Sequence, residues 1–173
     1  MAMKKDLIDH SNLLDAVSYD PDNGVFIHLP RDDGGGKYWN RSFNTLYAGR
    51  QAGSEITIKG KKYLEIGVLG INYRAHQLAV YWMTGVWPVL VDHKDGDGLN
   101  NRWSNLRVVT SAQNVQNQKR VGVYKRSENG KWQAMVKKDG KKYCLGCYDN
   151  KEDAVAAYQN KHAELFGEYS PWR

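Results

Sequence analysis

Asp92 and His93 stand side by side at the end of a short apolar run, with Asn105 twelve residues past the histidine and Asn114 nine residues further on. A carboxylate, an imidazole and two amides could together serve phosphodiester hydrolysis. That reaction needs an activated water, neutralised phosphate charge and help for the leaving oxygen. Imidazole titrates near working pH, which makes His93 the candidate general base. Asp92 and Asn114 offer one anionic and one neutral oxygen, a pair that suits Mg²⁺ or Mn²⁺ better than Zn²⁺.

Short elements must hold these groups. Residues 89–93 read as an apolar strand, 94–103 as a Gly/Asp/Asn loop and 106–109 as a second strand. Thr110 and Gln113 have capping-box spacing and open a helix. Asn114 falls near its first turn, where the helix dipole favours phosphate. The run VDHKDGDGLNNRWSNLRVVTSAQNVQN, Val91 to Asn117, resembles the HNH nuclease family in the variant whose last position is Asn. The resemblance implies a ββα-metal (His-Me finger) unit over residues 89–118. It makes Asp92 and Asn114 metal ligands and His93 the base, with Asn105 as the residue that orients the histidine ring. Asp95 and Asp97 are assigned to the turn. His76 opens the preceding helix, and its expected role is a structural hydrogen bond.

Residues 1–88 form a first block. A DPDNG turn at 20–24 precedes a strand at 25–27, residues 31–37 read as a flexible loop, and 56–66 read as a hairpin around Lys59-Gly60-Lys61. A helix over 75–84 ends at Gly85, with Pro88 beyond it. This block resembles the β-rich leader of phage-encoded HNH proteins.

The third block, residues 121–170, shows three strands (121–124, 132–137, 143–148) with turns at Asn129-Gly130 and Asp139-Gly140. A helix capped by Asn150 follows, with Ala154, Ala157, Tyr158 and Leu165 on one face. GVYKRSENGKWQAMVKKDGKKYCLGCYDNKEDAVAAY resembles the DNA-binding domain of plant ethylene-response factors, which lays such a sheet in the major groove. Period-two alternation turns Trp132, Ala134 and Val136 toward the helix and Gln133, Met135 and Lys137 toward DNA. Tyr124, Arg126, Lys142 and Cys144 take the remaining DNA-facing positions, while Lys125, Lys131, Lys138 and Lys141 are candidates for phosphate contacts. Tyr124, Met135 and Cys144 cannot make bidentate contacts to guanine, so the plant target sequence does not transfer.

Charge follows the same division. Residues 119–173 carry 12 Lys+Arg against 7 Asp+Glu, a balance of +5, and the remainder carries 13 against 12. The excess therefore sits where a polyanion reader is expected. A mean hydropathy of -0.69 with no long apolar run excludes a transmembrane helix, and no apolar stretch backs Lys4 and Lys5 as a signal peptide would need. Cys144 and Cys147 alone give neither a disulfide framework nor a zinc site, which points to a reducing, cytoplasmic setting. The expectation is an α+β chain: a β-rich lobe, the metal unit, then a sheet packed on one helix. Its activity would be a phage-type, homing-like DNA endonuclease, metal-dependent, acting on duplex DNA as a monomer inside the host cell. The alternative is a DNA-binding regulator on the same scaffold without cleavage.

Overall fold

Asp9 starts the first helix by accepting from the Ser11 N–H, satisfying one of the amides that a helix N-terminus leaves bare. That helix, α1 (His10–Ala16), runs straight into β1 (Val17–Asp20), which pairs antiparallel with β2 (Val25–His28). The tight turn between them is held by Asp20, whose carboxylate accepts from the backbone of Asp22 and Asn23. The computed structural model describes residues 8–32, 38–117 and 120–172. Part of the loop expected at 31–37 lies outside the described residues. Helix α2 (Tyr38–Tyr47) follows it. Neither α1, β1 nor α2 was expected from the sequence. The first two are short and were obscured by the turn signal, and α2 is a polar, aromatic stretch directly after the glycine-rich loop signal.

A three-stranded antiparallel sheet comes next: β3 (Ser54–Ile58), β4 (Lys61–Val68) and β5 (Ile71–Arg74), in the order β3-β4-β5. The β3–β4 turn has Lys59 at φ 50° and Gly60 at φ 77°, the paired left-handed conformation of a two-residue hairpin turn. Helix α3 (Ala75–Thr84) ends on Gly85 at φ 69°, as its terminal glycine implied. A two-stranded ribbon closes this part, β6 (Val91–His93) with β7 (Leu106–Val108). The expected strand at 89–93 is thus shorter by two residues. Val89, next to Pro88, is 94% exposed. Leu13, Val17, Phe26, Ile66 and Leu78 are fully buried in one core, and Val91 and Leu106 belong to the same cluster. The ribbon that carries Asp92 and His93 is therefore rooted in the interior.

The chain divides into two compact units, residues 1–109 and 110–173. The second begins with α4 (Ser111–Gln116), opened by the Thr110–Gln113 capping box in both directions. It continues with β8 (Val123–Lys125), β9 (Trp132–Lys138), β10 (Lys141–Tyr148) and α5 (Lys151–Phe166), the sheet having the order β10-β9-β8. Asn150 caps α5 by accepting from the Asp153 N–H. Ala134 and Val136 are buried against Ala154 and Tyr158 of α5, so the alternation along β9 sets which face is dry. The whole is an α+β protein with several antiparallel sheets.

Candidate functional site

His93 closes β6 with only 5% of its surface exposed, and Asp92 beside it has 9%. Successive strand residues point to opposite faces, so the two side chains meet different neighbours. The register sets Asp92 opposite Arg107 of β7. Nη2 and Nε of Arg107 donate to Asp92 Oδ2 at 2.7 and 3.0 Å, and both side chains are nine-tenths buried. Buried pairs of this kind hold only with good geometry, which two converging N–H groups supply. Arg107 had no assigned role in the sequence, because cross-strand pairing through a loop of unknown shape leaves no signal in the chain order.

The His93 ring has Asn101 Oδ1 at 3.3 Å from its Nε2, the His76 ring edge-on at a centroid distance of 4.9 Å, and the Tyr63 ring at 6.3 Å. Burial lowers its pKa below the ordinary histidine value. The Asn101 contact and the charges of Asp95, Asp92 and Asp97 oppose that shift without cancelling it. The ring is thus neutral at neutral pH, the form a general base requires.

Asn105 was expected to orient this ring, and the structure corrects that. Its Nδ2 donates to Asp95 Oδ1 and to the Asn100 carbonyl, while its Oδ1 accepts from the Asp95 N–H. Asn105 therefore fastens the 94–100 loop, and the amide on the ring is Asn101. The physical reason is geometric: a 3-10 turn at Trp103–Asn105 aims Asn105 back under the loop. Asp95 and Asp97 also serve the loop, accepting from Asp97 N–H and Asn100 Nδ2 and from Leu99 N–H respectively. Gly98 lies so close to β4 that a Cβ there would sit 2.2 Å from the Lys62 carbonyl oxygen and 2.7 Å from the Tyr63 ring. Any side chain would push the loop off the hairpin.

His76 departs from expectation as well. Instead of making a structural hydrogen bond, its Nδ1 is buried with no partner. Burial first, then the neighbouring His93 and Arg74 charges, push its pKa down to about 3. The folded protein therefore needs His76 neutral, while the unfolded chain protonates it near 6.5. Stability should fall as pH drops through the window between these values, by about 3 kcal/mol from pH 7 to pH 4. His76→Phe should flatten that slope, since it keeps the ring and removes the proton site. Urea denaturation of both proteins at the two pH values measures it, and equal slopes would contradict the account.

Asn114 lies on α4, in the second unit. In that unit the sheet face away from α5 carries the expected DNA-facing residues. The register aligns Tyr124 with Gln133, Gln133 with Cys147, Met135 with Cys144 and Lys137 with Lys142. Tyr124 donates to Gln133 Oε1, whose amide in turn donates to Cys144 Sγ, forming a polar row across all three strands. Lys125 pairs with Trp132, so it flanks the opposite face. Arg126 is ion-paired with Glu128, and Lys131 with Asp149. Those pairs are exposed and worth little.

Among the described residues no group of three or more His, Cys, Asp and Glu side chains could enclose a metal ion. The first unit thus holds an Asp-His pair on a buried strand ribbon, followed by a stapled loop. Residues 73–116 match the family described as HNH endonuclease. A protein of Acanthamoeba polyphaga mimivirus, described as an uncharacterized HNH endonuclease, is 38% identical over 86 residues, which is 47% of this chain and 46% of that protein. The chain thus spans less than half the length of that curated relative. No solved structure matches. Among the described residues no helix is long and apolar enough to cross a membrane.

Proposed function

We propose that this chain is a metal-dependent endonuclease that hydrolyses phosphodiester bonds of duplex DNA, in the manner of freestanding homing endonucleases. The observation that carries the reading is the buried His93 next to Asp92 inside the HNH match. His93 takes the proton of the attacking water. Asp92, with Asn114 from α4 as the family resemblance implies, would hold Mg²⁺ or Mn²⁺. When bound, the ion would neutralise phosphate charge and stabilise the leaving oxygen. Arg107 holds the Asp92 carboxylate in place, and Asn105 keeps the loop that follows His93 in one shape.

Two expected results follow for the metal. Asp92→Ala should abolish Mn²⁺ binding in a calorimetric titration, and Asn114→Asp should change its affinity while leaving the protein folded. Unchanged titrations in both variants would mean that the ligands lie elsewhere.

The second unit is proposed as the DNA anchor, with Tyr124, Arg126, Gln133, Met135, Lys137 and Lys142 on the reading face and Lys131 at the phosphates; Lys125, in register with Trp132, lies toward the other face. Removing residues 119–173 takes away +5 of the +6 net charge. Each phosphate contact contributes about -0.9 to the slope of log K against log salt. The shortened protein should bind duplex DNA more weakly and with a shallower slope. Equal affinity and slope would shift attention to the Lys59–Lys62 hairpin.

A further inference from the structure

We propose that Asn101 is a positioning residue for the nuclease reaction, that it fixes which nitrogen of His93 works as the base, and that the N-terminal hairpin serves to hold it. This rests on the nuclease reading above.

Asn101 is 1% exposed. Its Nδ2 donates to the Leu99 carbonyl at 3.0 Å. A carbonyl can only accept, so this bond fixes which end of the amide is nitrogen and turns Oδ1 to His93 Nε2. Oδ1 likewise only accepts. Nε2 must therefore carry the ring proton, and in a neutral imidazole the lone pair is then on Nδ1. In the reaction Nδ1 takes a proton from water as the water oxygen bonds to phosphorus. The bond from phosphorus to the leaving oxygen breaks with its electron pair on that oxygen, which then takes a proton from solvent.

Asn101 is gripped from the first unit's other end. Tyr19 of β1 donates its hydroxyl to the Asn101 carbonyl at 2.7 Å. Burial, and secondarily the charge of Asp20, push the Tyr19 pKa up to about 12, so the hydroxyl remains a donor throughout the working range. The Trp103 N–H donates to the Pro21 carbonyl at 2.9 Å. Gly24, at φ 71°, approaches the same segment so closely that a Cβ would lie 2.4 Å from the Arg102 nitrogen and 2.5 Å from the Asn101 carbonyl carbon. Three contacts from one hairpin thus converge on the backbone of residues 101–103, eighty residues away in the chain. A side chain at residue 24 would block that backbone-to-backbone approach, which glycine allows. With the backbone fixed, the short Asn side chain has little freedom to swing away from the ring.

The test uses full-length protein labelled with ¹⁵N-histidine. Long-range ¹⁵N–¹H spectra report the tautomer of each neutral ring, and His93 is assigned by its loss in His93→Gln. The expected result is the Nε2–H form in the wild type and a mixed or Nδ1–H form in Asn101→Leu. Plasmid nicking by Asn101→Leu should show kcat reduced about 10- to 100-fold with KM little changed. Asn101→Asp, which still offers an acceptor to Nε2, should restore part of the rate, and Tyr19→Phe should show a smaller loss in kcat alone. An Nδ1–H wild-type ring in a protein that cleaves DNA would overturn this role and leave the nuclease reading intact. Full activity of Asn101→Leu would do the same. A wild-type protein that does not cleave DNA overturns the nuclease reading and this role together.

Discussion

Replacing His93 with alanine should lower the single-turnover cleavage rate by about 10²–10⁴-fold, the usual contribution of a positioned general base, while leaving DNA affinity close to that of the wild type. The loss should fall on the rate because His93 is 5% exposed and held by Asn101 and His76. A group so enclosed contributes little to binding a large polyanion. The second unit should supply most of the affinity, and it lies outside this substitution. Rapid-quench cleavage and fluorescence anisotropy on the same preparation separate the two effects. A clean His93→Ala protein that cleaves at the wild-type rate would remove His93 from the mechanism.

Arg107→Ala should destabilise the first unit by about 3–5 kcal/mol, the cost of removing one member of a buried pair. Two of the three guanidinium nitrogens of Arg107, Nε and Nη2, reach Asp92 Oδ2, and both side chains are nine-tenths buried. Asp92→Ala combined with Arg107→Ala should recover much of that loss, because the buried carboxylate is then gone. Mn²⁺ should raise the Tm of Arg107→Ala more than that of the wild type, since a cation on Asp92 replaces the missing guanidinium. Urea denaturation and thermal melts with and without Mn²⁺ measure all three effects. A destabilisation below about 1 kcal/mol would mean that the pair is not the clasp its geometry implies.

The parts of this protein legible in its sequence were those encoded locally. The Thr110–Gln113 capping box, the Gly85 helix end, the Asn150 cap and the alternation along β9 each depend on residues within a few positions of one another, and each is present in the structure. The site was legible only as a set of residue types. Asp92 and His93 could be named because they adjoin and fall at the spacing of a known family. Arg107 and Asn101 could not, since each acquires its role by folding across a strand pair or a loop. Asn105 shows the converse. Its position in the motif suggested contact with the histidine, yet the 3-10 turn directs its amide to Asp95 and Asn100. His76 was read as a residue seeking a hydrogen bond, and long-range packing instead set it against His93 with Nδ1 unpartnered. Gly24 was read only as part of a turn, and Tyr19 had no assigned role. Their closeness to Asn101 follows from the fold alone.

The most direct test is incubation of the purified full-length chain with supercoiled plasmid in Mg²⁺, with a chelator arm and a His93→Ala arm, scored for nicked and linear DNA. Nicked or linear product that appears with Mg²⁺, disappears with chelator and is strongly reduced in His93→Ala is the expected result. No product in any arm, or equal product with chelator or with His93→Ala, would contradict a metal-dependent nuclease centred on Asp92 and His93.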